Sequence, residues 1–424
     1  MGAVLELAEK MWNGTDGTVM GQHVMGSAAS LVDGFVGIDE VAPGVAFVGS
    51  FANVTAIATD DGLVLVDVGS PLLAPRVREA IRTWTDRRVH TGIYTHGHVD
   101  HVFGFGAYEA EAVEHGWPAP VVLAHEAVPR RFDRYRMTAG YNGHINMRQF
   151  ALPAPIFPTE FRYPDRTFVT REVLEIGGEH IEVEHARGET DDHAFVWLPA
   201  RRVLATGDLF IWAAPNCGNP QKVQRYPLEW AQALRRMAAL APAVLCPGHG
   251  PPILGEARVH QALEESAELL ESLHAQTLAL MNAGARLDDV LANVRAPEHL
   301  LARPYLRPVY DEPEFIVRNL WRLYGGWYDG NPAHLKPARD RALAEELAAL
   351  CGGAAKLAAR AEALAETGEL ALACHLAESA WLAAPDDAAI AAARSAIYRR
   401  RAAASESLMA RGIFEAAARE STPR

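Results

Sequence analysis

The stretch "IYTHGHVDHVFGFG", residues 93–106, places three histidines and an aspartate within six positions, directly after a short run that reads as a strand. The preceding "PLLAPRVREAIRTWTDRR" has helical periodicity and "VHTGIYTH" returns to strand, so His96 falls just past the C-terminal end of a strand, where α/β folds collect their ligands. His96 and His98 project to one side of an extended backbone because side chains alternate with period two, and Asp100 and His101 continue round the turn. That spacing can serve two metals, provided that distant loops supply further ligands.

Three other segments offer them. In "HARGETDDHAFVW", Glu189 sits on a glycine-containing turn, with Asp191 and Asp192 close enough to replace it. In "RRVLATGDLF", Asp208 ends an apolar strand, a place where a carboxylate is unexpected unless something binds it. In "AVLCPGHGPPI", His249 stands between two glycines after another apolar strand.

Outward from these motifs, short β-branched runs from Val41 to Val68 and again through "TFVTREVLEIGGEHIEVEHA", "HAFVWLPARRVLATGD" and "AVLCPGHG" form two meanders. They predict a sheet-on-sheet sandwich flanked by helices. Between them, "YRMTAGYNGHINMRQFALPAPIFP" is too rich in Pro and Gly for a core element and reads as a lid, a binding loop or a structural loop over the sheet. After about residue 285 strand-like runs stop, and Ala, Leu, Glu and Arg recur at helical spacing with breaks at Thr367-Gly368 and Pro385. This is a separate all-α region, a helical bundle or one to two units of tetratricopeptide cadence.

Composition narrows the function classes. With 424 residues, 49% hydrophobic and 22% charged, the chain has material for two cores, and a net charge of −13 argues against nucleic-acid binding. The four cysteines, Cys217, Cys246, Cys351 and Cys374, form no CxxC pair, so reduced thiols in a cytoplasmic protein are expected. "MGAVLELAEKMWNG" carries Glu6, Glu9 and Lys10 and does not read as a signal peptide, and no run is long enough to insert in a membrane.

The ordered set His-X-His-X-Asp-His, the Gly-X-Thr turn, the strand ending in Gly-Asp and the Pro-Gly-His-Gly turn resembles the metallo-β-lactamase superfamily over residues 40 to 265. The resemblance implies an α/β fold, an αββα sandwich in residues 1–285, followed by an all-α helical domain in 286–424. It implies one metal on His96, His98 and Glu189, a second on Asp100, His101 and His249, and Asp208 bridging them; Asp100 and Asp208 are the expected catalytic carboxylates. Two Zn2+ per chain are the superfamily default, and these ligands also suit iron or manganese. Glu189, where the superfamily commonly has histidine, is similar to what its alkylsulfatases carry. "LWRLYGGWYDGNPAHLKP", residues 320–337, resembles the opening of the alkylsulfatase dimerisation domain and implies a homodimer; its aromatic residues read as helix packing, a dimer contact or a pocket wall. The family's third, lipid-carrier-like domain is not expected, the sequence ending at Arg424.

After Asp208 the likeness to alkylsulfatases fails residue by residue. They tend to have glutamate as the bridging residue, followed by histidines and an arginine that serve as proton donor and sulfate clamp; this chain has Trp212, Pro215 and Gln221 at about those places. Asn216, Lys222 and Arg225 are then the candidates to meet a substrate anion, with Tyr141, His144, Asn146 and Arg148 in the intervening segment. The expected activity is hydrolysis of a small anionic ester by a metal-bound hydroxide, formed because a water held between two divalent ions loses its proton near pH 7. Sulfate esters of apolar alcohols are the first expectation; a thioester, lactone, phosphoester or β-lactam is the alternative.

Overall fold

The computed structural model describes residues 2–15 and 34–422. Among the described residues thirteen strands form two sheets. The first takes β1 (Gly37–Ala42), β2 (Val45–Gly49), β3 (Val54–Thr59), β4 (Gly62–Val66), β5 (Val89–Ile93), β6 (Val121–His125) and β7 (Arg166–Phe168) in sequence order. β1 to β4 are antiparallel, and β4 to β7 run parallel through helical crossovers. The second takes β8 (Arg171–Ile176), β9 (Glu179–His185), β10 (Ala194–Leu198), β11 (Val203–Ile211), β12 (Val244–His249) and β13 (Ile253–Leu254), antiparallel except for the β11–β12 pair.

The run "LVLV" at 63–66 shows why β4 is apolar on every residue. Val64 and Val66 join Phe47, Ile57, Val183, Val196 and Val244 in the core between the sheets, whereas Leu63 and Leu65 face the other way, with Val77, Ile81, Phe105 and Phe132 of the outer helices. A strand buried on both faces has no polar alternation, and each such side chain contributes roughly 1.5–3 kcal/mol of burial. Helices Ala74–Trp84, Phe105–His115 and Ala127–Met137 cover the first sheet; on the second, Trp230 of helix Pro227–Ala239 donates its indole N–H to Leu209 O at 2.8 Å. The expected αββα order is the observed one.

The segment read as a lid or loop, residues 135–158, takes in the end of helix Ala127–Met137 and the whole of helix Ala139–Phe150. Its prolines, Pro153, Pro155 and Pro158, all lie beyond the last helical residue, and Gly140 and Gly143 are tolerated inside a helix at roughly 1 kcal/mol each.

The chain divides into two compact units: Met1–Asn142, Phe157–Ala285 and Asp289–Gly326 in one, Gly143–Ile156, Arg286–Asp288 and Trp327–Arg424 in the other. In this division residues 289–326 group with the sheets. The second unit is helical, with helices Asp340–Cys351, Ala354–Glu366, Leu370–Ala383, Ala388–Ala403 and Leu408–Glu420 packed through small alanine contacts. The breaks fall at Thr367-Gly368, where Gly368 takes φ +88°, and around Pro385. Gly143–Ile156 belongs to it through close packing: a Cβ at Gly412 would lie 2.5 Å from Gln149 O.

Candidate metal centre

The strands deliver the polar residues to one end of the sandwich. β4 runs into Asp67 and β5 into Thr95 and His96, while the short helix Val99–Val102 carries Asp100 and His101. From the second sheet come Glu189 on the β9–β10 turn, Asp208 within β11 and His249 at the end of β12. The β11–β12 register is irregular on either side of Gly207, which takes φ +49°, and this bulge turns Asp208 out of the ladder. Gly248 lets the Pro-Gly-His-Gly turn approach: a Cβ there would lie 2.1 Å from Asp208 Oδ1.

Two groups of metal-ligand type result among the described residues, His96, His98, Glu189 and Asp208 in one and Asp100, His101 and His249 in the other. Glu189 Oε2 lies 3.5 Å from His96 Nε2 and 3.3 Å from His98 Nδ1. Asp208 spans the groups, with Oδ2 3.8 Å from His96 Nε2 and Oδ1 3.3 Å from His101 Nε2 and 3.4 Å from His249 Nε2. Asp100 Oδ2 lies 3.5 Å from His249 Nε2 and 3.7 Å from His101 Nε2.

Three of these atoms, His101 Nε2, Glu189 Oε2 and Asp208 Oδ1, are buried without a hydrogen-bond partner. A buried polar group left unsatisfied costs about 1–3 kcal/mol, more when charged. Orphaned nitrogen and carboxylate oxygens that converge at 3.3–3.8 Å are what a divalent cation relieves. The donor set therefore fits two metals of the zinc, iron or manganese type.

The other faces of these ligands are occupied. His101 Nδ1 lies 2.8 Å from Asp67 Oδ2, Asp67 also accepts from Thr95 N and Oγ1 at 2.8 Å each, and His249 Nδ1 bonds Phe51 O. Such partners orient the ring and fix which nitrogen faces the metal. Asn53, whose Nδ2 donates to Pro247 O at 2.9 Å and Gly250 O at 2.7 Å, fixes the turn that carries His249. Burial lowers His96 well below the ordinary imidazole value, aided by His101 and His98, so its ring is held in the neutral form that a cation would need. Burial opposes the shifts of the remaining groups but is outweighed: Asp208, Asp100 and Asp67 hold His101 well above its ordinary value, the neighbouring carboxylates raise His249 to about 10, and His249 and His101 hold Asp208 far below.

The family model described as "Metallo-beta-lactamase superfamily" matches residues 48–249, the span that contains both ligand groups, and "Alkyl sulfatase dimerisation" matches 286–423. The ligand-bearing span therefore carries the metallo-β-lactamase likeness. Among curated superfamily relatives it is 26% identical to a linear primary-alkylsulfatase of Pseudomonas sp. over 71% of this chain, and 27% identical to an alkyl/aryl-sulfatase of Saccharomyces cerevisiae over 75%. The matches span 61% and 53% of those relatives' own lengths. The solved structure of a stereoselective inverting sec-alkylsulfatase from Pseudomonas sp. shares the fold, with a TM-score of 0.82 at 22% identity over 98% of this chain and 70% of that one.

Within this superfamily scaffold, the candidates for substrate contact are placed unequally. Asn216 and Arg225, expected to meet an anion, instead meet Glu189: Asn216 Nδ2 and Arg225 Nη1 each lie 2.5 Å from Glu189 Oε1, and Arg225 Nη1 also donates to Asn216 O at 2.6 Å. Lys222 is half-buried; burial and then Arg225 pull its ammonium down to about 8, against the attraction of Asp100 and Glu189. Tyr141 is exposed in the first unit, while His144, Asn146 and Arg148 lie in the segment that groups with the second. Asp191 and Asp192, open as replacements for Glu189, are both taken by Arg131, whose Nε donates to Asp192 Oδ2 at 2.6 Å; Asp192 Oδ2 also accepts from Gly97 N at 3.1 Å. The aromatic cluster is divided between the units, and Tyr324 packs on His274 at 5.6 Å.

Proposed function

We propose that this chain is a dinuclear metal-dependent hydrolase of sulfate esters of apolar alcohols. The observation that carries the reading is that His101 Nε2, Glu189 Oε2 and Asp208 Oδ1, spread over the two ligand groups, are buried and without partners, in a chain whose remaining length matches the alkyl sulfatase dimerisation family. His96, His98 and Glu189 would hold one cation, Asp100, His101 and His249 the second, with Asp208 between them; zinc is the first expectation. Bound there, two divalent ions supply Lewis acidity and bring the pKa of a water from near 16 to about 7.

The chain's own groups do the rest. Asp208 and Asp100 set the negative charge that holds the cations, and the neutral His96 offers a ring nitrogen without first shedding a proton. Lys222 meets the anionic ester with a half-buried positive charge, and an ammonium lowered to about 8 has a proton that Nζ can pass to a leaving oxygen. In this reading residues 1–285 carry the chemistry and 286–424 the self-association of a cytoplasmic homodimer. No described helix is long and apolar enough to cross a membrane.

Metal content near two per chain and release of inorganic sulfate from a medium-chain alkyl sulfate, lost in His98→Ala, are the expected results. The second reading, the same centre acting on another ester-type bond, is favoured by Asn216 and Arg225 being turned to Glu189 rather than presented as a sulfate clamp. Turnover of a thioester or lactone panel without sulfate release at any chain length would establish it in place of the first.

A further inference from the structure

We infer that Arg225 and Asn216 are positioning residues that make a glutamate workable as a metal ligand at position 189, and that this clamp is braced by residues 311–322, outside the span matching the metallo-β-lactamase model. The inference rests on the metal-centre reading above and adds to it which of the chain's own residues sustain one of its two halves.

The geometry divides the carboxylate's two oxygens. Oε1 accepts from Arg225 Nη1 and Asn216 Nδ2, both at 2.5 Å, while Oε2 has no hydrogen-bond partner and faces His96 and His98. A carboxylate held by two donors on one oxygen presents the other as a single directed ligand. Charge points the same way. Glu189 is 1% exposed and Arg225 3%, so the guanidinium is a counter-charge in a region where water screens little. A histidine at position 189 would bring no charge and need no such partner. The arginine therefore answers a cost that the glutamate introduces.

The loop that carries both donors is fastened from the helix Pro313–Gly325 and the residues before it. Asp311, itself fully buried, accepts from the backbone N–H of Gly218 and from Glu312 N. A Cβ at Gly218 would lie 2.2 Å from Ile316 N, so the loop backbone rests directly on the start of that helix. Asn319 Nδ2 donates to Arg225 O at 3.0 Å, Gln224 Nε2 donates to Asn319 Oδ1 at 2.9 Å, and Arg322 Nε donates to Gln224 Oε1 at 3.0 Å. These contacts hold the backbone at Arg225 and two residues past Asn216. All of the bracing residues fall within 286–423, the span of the dimerisation model, yet they group with the sheets.

The test reads metal binding directly. The apo-protein is titrated with Co2+, followed by ligand-field absorption, and bound metal is counted by mass spectrometry. The wild type is expected to take two ions. Arg225→Met should weaken one of the two by about 10–100-fold, the range for lost outer partners of a ligand. Arg225→Lys should recover part of the loss, and Asn319→Ala should weaken the same ion by a smaller factor. The deciding arm is Glu189→His combined with Arg225→Met: removing the charge that needed answering should restore the weakened ion to within a few-fold of the wild type. A loop role that is merely structural would leave the double variant as weak as the single, and that result, or two undiminished sites in Arg225→Met, would overturn the inference. A wild-type chain that binds no metal would instead overturn the metal-centre reading itself, and the inference with it.

Discussion

The two halves of the ligand cluster are supported in different senses. On the side of Asp100, His101 and His249, the outer partners are acceptors: the Asp67 carboxylate behind His101 and the Phe51 carbonyl behind His249. On the other side Glu189 itself is met by donors, Arg225 and Asn216, while His96 Nδ1 keeps an acceptor, Thr95 Oγ1, at 3.0 Å. The difference follows from the ligands. An imidazole is oriented and made more basic by an acceptor on its far nitrogen, whereas a carboxylate is directed and neutralised by donors on its far oxygen. Asp208 belongs to both halves, since each of its oxygens faces a different group.

The contrast can be broken most severely at its shared member. Asp208→Ala should take bound metal from about two ions per chain to about none and abolish hydrolysis, as read by mass spectrometry and sulfate release; retention of one ion would show the halves to be independent. Arg131→Met sharpens the comparison from another direction, because Arg131 also neutralises a buried carboxylate, Asp192, that is not among the candidate ligands. Its loss should cost roughly 3–5 kcal/mol in chemical unfolding, since a charge is left buried and unpaired, while metal stoichiometry is unchanged in the fraction that folds. The same pair predicts an acid limb. Burial raises the Asp192 carboxyl but Arg131 outweighs it and brings it from 3.8 to about 2. That lowered value contributes stability that is complete above about pH 4 and is lost as pH falls through about 2, on the order of 2 kcal/mol. Asp192→Asn should flatten this part of the stability profile, measured by unfolding at each pH. The smallest effect is expected at Asp67. Asp67→Ala should weaken the ion on the His101 side about 10–100-fold and the other by a smaller factor, relayed through Thr95 to His96, which cobalt titration resolves as unequal changes in the two binding phases.

Much of the centre was legible because ligands of this kind end strands or sit on glycine turns, where a polar residue breaks an apolar run. Asp67 follows "LVLV" just as Asp208 interrupts the apolar run of β11, which goes on to Ile211, so the signal for this residue was present in the sequence as well. Arg225 and Asn216 carried no such signal. Whether a cation on an irregular loop points to solvent or to a carboxylate 36 positions earlier depends on the loop's path, and that path is set by Asp311 and Asn319 nearly a hundred residues later. The helix Ala139–Phe150 was hidden by Gly140 and Gly143, whose turn preference is overridden when no proline interrupts the backbone hydrogen bonds. The grouping of residues 289–326 with the sheets was equally unreadable, because a helical pattern shows which face is apolar but not what it packs on.

The Asn53 contacts carry one more consequence. Through Nδ2 on Pro247 and Gly250, and a backbone bond from its own N to Gly248 O at 2.9 Å, this residue sews the β2–β3 connection to the His249 turn nearly two hundred positions away. None of these bonds involves a ligand atom. A chelated chain should therefore keep the two sheets in register, and restoring its ions should be a bimolecular filling of a waiting cradle, with a rate proportional to metal concentration, rather than a refolding event with a ceiling of its own.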